Sequence, residues 1–263
     1  NIENNFSNLG YIDFCYNKDT SKLYLIPDYE IKLNCNLSIY TISGPISNLI
    51  LTSNIEINLY STYNAFNYKI VKDLQQDTIL YLYSRNMENF KYIDMNSNIL
   101  GIISIQNNIL HIPDIVNNYN LSIKIDTHIY FVHETSNLIS IMTYNESESK
   151  ITYNSNIYFD INKINNNIDG NLKNFSDIVY TTSFELYLMP FDSSYLISMD
   201  ITTYELKYYY LYDTNTDEIK SKTIKVSDSK FIKGFEVINK KSIYLIPYKY
   251  PFIGSFNIYT KEY

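Results

Sequence analysis

Leu186-Tyr187-Leu188-Met189-Pro190 decides how this chain is read, because the pattern recurs. It returns as Leu23-Tyr24-Leu25-Ile26-Pro27, Leu80-Tyr81-Leu82-Tyr83-Ser84, Ile129-Tyr130-Phe131-Val132-His133 and Ile243-Tyr244-Leu245-Ile246-Pro247. The tyrosines stand at 24, 81, 130, 187 and 244, so the copies are 57, 49, 57 and 57 residues apart. A regular period of this length marks an array of similar structural units.

Working outward, each copy has companions. Nine residues beyond four of the stretches come Ile93-Asp94-Met95, Met142-Thr143-Tyr144, Met199-Asp200-Ile201 and Phe256-Asn257-Ile258. The first copy has about three extra residues and gives Ile39-Tyr40-Thr41. Apolar, polar, apolar is the period of a strand with one buried face. Turn residues such as Asp192-Ser193-Ser194 separate the two patterns, so each unit contains a hairpin. About ten residues upstream lies a third run: Tyr11–Phe14, Tyr68–Val71, Leu121–Ile123, Asp177–Val179 and Phe231–Phe235. A fourth follows four of the five hairpins, at 49–59, 99–105, 150–159 and 206–212.

Four short antiparallel strands repeated five times at about 55 residues predict a five-bladed β-propeller, all-β and one domain over residues 1–263. The last blade lacks a fourth strand. Residues 1–9 precede the first inner strand, and the pattern assigns them to the outer edge of that last blade, closing the ring. A fragment of a larger propeller is the alternative. Composition agrees: 41 Ile and 29 Tyr favour strands while Ala, the best helix former, is nearly missing, and no stretch carries helical periodicity with caps. A single Ala (Ala65) and a single Arg (Arg85) point to an AT-rich genome, of the kind found in large DNA viruses and eukaryotic parasites.

Ser183-Phe184-Glu185-Leu186-Tyr187-Leu188 through Met199-Asp200-Ile201-Thr202-Thr203 resembles the YVTN-type propeller repeat. That family pairs a Tyr-containing strand with a downstream apolar-Asp-apolar-Thr strand. Residues 243–260 resemble it too, with Asn257 in place of the Asp. The family's Gly-rich turns are missing here. The resemblance covers the hairpins, about a third of the chain. It implies a propeller and no particular activity, because propellers host binding modules, lectins and enzymes alike.

Candidate chemistry centres on carboxylates. Asp13, Asp177 and Glu236 fall on three predicted inner strands, and Asp126 lies near a fourth. Inner strands line a propeller's channel, and a glycoside hydrolase needs carboxyl groups about 5–9 Å apart there. Lys69, Lys124 and Lys233 stand beside these acids, so mutual neutralisation or contact with water is the expected role. The expectation is therefore no catalytic residue, with Asp13, Asp177 and Glu236 as the weak candidates. No metal site and no cofactor are expected. Of His111, His128 and His133, the last two are five apart on one predicted strand and face opposite ways. Six scattered glycines form no phosphate loop.

Cys15 and Cys35 are separated by a whole strand, which argues against a disulfide and leans to a reducing compartment. Net charge is −7, which argues against a nucleic-acid partner, and no apolar run is long enough to span a membrane as a helix. Residues 213–249 carry eight lysines against five acids, a weakly basic stretch. Tyr208, Tyr209, Tyr210 and Tyr212 sit on one outer strand, where alternation must send some to solvent. The resulting expectation is a non-enzymatic binding or scaffolding module with a protein partner. A carbohydrate-binding propeller is the alternative, with a five-bladed glycoside hydrolase behind it.

Overall fold

Each of the five tyrosine stretches becomes a six-residue strand with its tyrosine third: Lys22–Pro27 (β2), Ile79–Ser84 (β6), His128–His133 (β10), Glu185–Pro190 (β14) and Ser242–Pro247 (β18). The computed structural model describes residues 11–17, 20–27, 36–42, 49–56, 68–73, 78–84, 90–106, 119–133, 137–160, 163, 174–193, 195–211, 231–248 and 253–263. The proposed closing segment 1–9, Cys35, His111, Tyr212 and the lysines of 212–230 lie outside them.

Around each tyrosine strand the chain builds an antiparallel meander. The first repeat has β1 (Tyr11–Asn17), β2, β3 (Asn36–Ile42) and β4 (Leu49–Glu56). The second has β5 (Tyr68–Asp73), β6, β7 (Phe90–Asp94) and β8 (Ile99–Ile105). The third has β9 (Tyr119–Ile125), β10, β11 (Leu138–Asn145) and β12 (Lys150–Tyr158). The fourth has β13 (Phe175–Tyr180), β14, β15 (Tyr195–Asp200) and β16 (Leu206–Tyr210). The fifth has β17 (Phe231–Val237), β18 and β19 (Gly254–Asn257), and its three strands form their own sheet.

The sequence repeat is also a repeat of register. Tyr24 pairs with Cys15, Tyr81 with Val71, Tyr187 with Val179 and Tyr244 with Phe235. In three repeats the first strand slips by one residue at the same place, between Tyr11 and Asp13, Phe175 and Asp177, and Phe231 and Lys233. Such bulges bend a strand and sharpen its twist.

The second and third repeats depart from separate sheets. They join into a closed eight-stranded arrangement, ordered β10-β11-β12-β8-β7-β6-β5-β9. Two short parallel contacts make the joins: Lys72 and Asp73 against Ile123 and Lys124, and Ser104 and Ile105 against Lys150 and Ile151. Neighbouring meanders run in the same direction, so strands at matching positions meet in parallel wherever they come close.

The chain divides into two compact units, Asn1–Phe131 with Ser140–Ser155, and Val132–Ile139 with Asn156–Tyr263. In the first, Tyr24, Ile26 and Ile39 pack against Ile70, Leu80, Leu82, Ile93 and Met95, uniting repeats one and two. A second cluster is aromatic: Tyr83 and Phe131 meet edge-on at 5.0 Å, and Tyr81 and Tyr144 at 5.4 Å. In the second unit Tyr187, Met189 and Leu196 pack against Phe231, Ile243, Leu245 and Phe256. Every residue of β14 is buried, as expected of a strand covered on both faces.

Candidate functional site

The best-defined surface is the end of each meander that carries the first-to-second and third-to-fourth turns. Four of these turns close on an Asx side chain. Asp94 accepts from Asn96 and Ser97, Asn145 from Ser147, Asp200 from Thr202 and Thr203, and Asn257 from Tyr259 and Thr260. The polar residue of the apolar-polar-apolar pattern is thus a turn former. In the third repeat the pattern assigns that duty to Thr143. The structure corrects this to Asn145, because β11 runs on to Asn145 before it turns. Hydrogen bonds from the Asn96 N–H and then Ser97 hold the Asp94 carboxyl below the usual carboxylate range. Those from Thr203 and Thr202 do the same for Asp200.

Four residues beyond each Asx, the chain enters the left-handed region: Asn98, Ser149, Tyr204 and Lys261 have φ of 58°, 47°, 60° and 61°. The first-to-second turns do likewise at Ser21, Asp126, Phe184 and Lys241, with φ of 53°, 53°, 62° and 52°. The two turns of a repeat are then tied together. Met95 N–H donates to the Thr78 carbonyl (2.8 Å), Tyr144 to Thr127 (2.7 Å), Ile201 to Phe184 (3.4 Å) and Ile258 to Lys241 (2.9 Å). This tie gives the last residue of the apolar-polar-apolar pattern its place.

The repeat tyrosines reach beyond their own strands. Tyr24 donates its hydroxyl to the Met95 carbonyl of the next repeat at 2.9 Å, and burial pushes that hydroxyl up to about 12. Tyr187 donates to Glu185 at 2.8 Å while the Lys261 ammonium donates to both, at 2.5 Å and 2.8 Å. Burial raises the Glu185 pKa, but hydrogen bonds from Lys261, Tyr187 and Ser183 outweigh it and leave the carboxyl below its ordinary value. Burial, reinforced by Glu185, drives the Tyr187 hydroxyl strongly upward, so it stays a proton donor.

The predicted site residues take the following places. Asp13 lies on β1 opposite Ile26, Asp177 on β13 opposite Met189, and Lys233 on β17 opposite Ile246. In the second repeat Lys69 holds the matching position opposite Tyr83. The equivalent position thus alternates in sign, and Glu236, three residues beyond Lys233, does not share it. Asp177 is buried and accepts from the Gly234 N–H at 3.2 Å. Glu236 accepts from the Thr182 backbone and hydroxyl, the latter at 2.6 Å. Both carboxylates therefore bind one first strand, or its turn, to the other. A Cβ at Gly234 would meet the Met189 side chain, which would have to shift to admit it. Asp126 is an exposed turn residue. Lys124 of the first unit forms a buried ion pair with Asp73 at 3.1 Å, both side chains at most 4% exposed.

Cys15 is half-buried on β1, His128 is half-buried with its ring 6.5 Å from Tyr130, and His133 is buried. Among the described residues no three His, Cys, Asp or Glu side chains are grouped to hold a metal. None of the described helices is long and apolar enough to cross a membrane.

Sequence reasoning missed the cluster of Glu185, Tyr187 and Lys261. Its only local signal is the Glu two residues before the repeat tyrosine. It also missed what the turn end of the second unit displays. Phe184, Ile238 and Tyr259 are 66%, 67% and 57% exposed, and the exposed Lys240 and Lys241 follow Ile238 in the chain. The Lys241 ammonium lies 4.6 Å from the Tyr259 ring centre and Lys240 5.7 Å from that of Tyr244.

By sequence, the chain matches no family model and no curated protein. By structure, it is similar to the periplasmic gluconolactonase PpgL of Pseudomonas aeruginosa (TM-score 0.58, 7% identity, 94% of this chain and 66% of that one). It is also similar to a chain of a nidogen/laminin complex (0.54, 10%, 96% and 76%) and to virginiamycin B lyase from Staphylococcus aureus (0.51, 11%, 95% and 70%). This chain spans just under two thirds of the gluconolactonase. At such identities the likeness is one of fold alone, and that fold is of β-propeller type.

Proposed function

We propose that this chain is a five-bladed β-propeller, one domain in which residues 1–9 complete the fifth blade, and that it serves as a non-enzymatic module docking a protein partner. The observation that carries the docking role is the turn end of the second unit. Phe184, Ile238 and Tyr259 are large, apolar and exposed there, on turns fixed by Asx side chains and backbone ties. Exposed apolar anchors with Lys241 beside Tyr259 suit a partner surface that is apolar with acidic groups next to it. One structural neighbour is itself part of a protein complex, nidogen with laminin. Asp177 and Glu236 have structural bonds to make, which favours this reading over a hydrolase.

The test compares partners captured from the native source by the wild-type protein and by a Phe184→Asp/Ile238→Asp variant. The specific partner should fall by about tenfold or more with the variant while the melting temperature holds. Unchanged recovery would remove the docking face. A glycan array and a glycosidase panel address the alternatives. A substrate whose cleavage dropped about a thousandfold in Asp13→Asn, Asp177→Asn or Glu236→Gln would replace the binding module with an enzyme. For ring closure, deleting residues 1–9 should lower the melting temperature markedly, and an unchanged value would count against it.

A further inference from the structure

The run of tyrosines on β16 acquires a second meaning once its register is known. Tyr195 stands directly opposite Tyr210, and Ile197 opposite Tyr208. Tyr195, Tyr208 and Tyr210 therefore share one face of the β15–β16 pair, while Tyr209 takes the other and packs on Phe256 at 4.8 Å. On the shared face the rings stand as walls. Tyr195 and Tyr208 are 6.4 Å apart at 86°, and Tyr195 and Tyr210 are 5.2 Å apart at 63°.

A cation already sits against these walls. The Lys163 ammonium lies 5.6 Å from the ring centres of both Tyr195 and Tyr208. The walls are fixed in advance, because the Asp160 N–H donates to the Tyr208 hydroxyl at 2.7 Å. They are also accessible, since Tyr195 and Tyr208 are only half-buried and Tyr210 and Lys163 are exposed. Two π-faces near a right angle attract a cation through their ring quadrupoles, and the attraction is best used by a weakly hydrated one. A lysine ammonium is strongly hydrated and gains least from such a seat.

We infer that Tyr195 and Tyr208, with Tyr210 packed against Tyr195, form a binding site for a small quaternary ammonium cation, with Lys163 as a resident competitor. The ligand's methyl groups would lie against the rings in place of the Lys163 ammonium. Removing the lysine should open the site, and removing a wall should close it. The inference does not depend on the docking role, because it concerns a different surface of the second unit.

The test is calorimetric titration of the full chain with tetramethylammonium chloride, against ammonium chloride at equal ionic strength. Lys163→Ala should bind tetramethylammonium about tenfold tighter than wild type and show no comparable gain for ammonium. Tyr208→Leu and Tyr195→Leu in the Lys163→Ala background should abolish that gain, with circular dichroism confirming the fold. Because Lys163 is exposed, the Lys163→Ala protein should fold and test the site by itself. Lys163→Ala binding no tighter than wild type, or equal gains for both cations, would overturn the site. So would a folded Tyr195→Leu variant that kept the gain.

Discussion

Two junctions between successive repeats can be set side by side, one within each unit. Between repeats two and three the contact is mainly aromatic: Tyr81, Tyr83 and Phe90 on one side, Phe131 and Tyr144 on the other. A charged contact at that junction, Lys124 with Asp73, is almost fully buried. Between repeats four and five the apolar cluster is fringed by half-open polar latches: Glu185 with Lys261, Asp177 with the Gly234 amide, and Glu236 with Thr182. The same repeat tyrosine serves both junctions, as Tyr81 in one and Tyr187 in the other. Its ring is retained while the surroundings of its hydroxyl are not, so the repeat specifies a shape more than a chemistry.

The largest effects should come from breaking the aromatic junction. Phe131→Ala removes a ring that touches both Tyr83 and Phe90, and should cost about 3–5 kcal/mol in chemical denaturation. Asp73→Ala strands the Lys124 ammonium in the interior and should cost a similar amount, about 3–5 kcal/mol. The double change Asp73→Leu with Lys124→Met should recover most of that loss, to within about 1 kcal/mol of wild type. A double variant no better than the single one would mean that the pair does more than balance charge.

The polar junction should respond less, and to pH. Glu185→Gln keeps shape but weakens the bond to Lys261, and should cost about 1–2 kcal/mol at neutral pH. In the wild type the Glu185 carboxyl has a folded pKa below its unfolded value of 4.5. Its stabilisation is therefore complete above that value and is lost as pH falls through the folded pKa. Glu185→Gln should flatten the acid limb of the stability curve below about pH 4.5. Amide exchange should show strands 185–190 and 254–257 losing protection at acid pH before 79–84 does. A variant with the wild-type acid limb would deny the latch its role. The smallest effect is expected at the turns: Asp200→Ala loses two backbone contacts and should cost about 1 kcal/mol by thermal melting.

Period, strand type and the position of the repeat tyrosine were legible in the chain, because a strand covered on both faces writes a continuous apolar run that recurs with each repeat. The third-to-fourth turns were half legible. Asp94, Asp200 and Asn257 were visible as the polar residues of a strand pattern, but their turn bonds were not, and in the third repeat the duty falls to Asn145, two residues past Thr143. Contacts between repeats left almost no local trace. Lys261 reaches Glu185 across 76 residues, which no period foretells, and Gly234 meets Asp177 across 57, the repeat step, with nothing in either strand to mark the bond. The candidate acids show the same limit. Asp177 and Glu236 were readable as first-strand carboxylates, but the backbone groups that use them were not. The tyrosine face on β16 was visible as a surplus, and only the register with β15 divided it into a wall and a core residue.

The left-handed turn residues hold stability in reserve. A side chain held at φ near 50–60° is strained relative to glycine by about 1 kcal/mol. Phe184, Tyr204, Lys241 and Lys261 all bear that strain, which glycine would not. Each of these turns therefore holds a little unused stability in its backbone, outside the core and outside the strand pairing. It can be released one turn at a time, by glycine at the left-handed position, with no change in the pattern of strands.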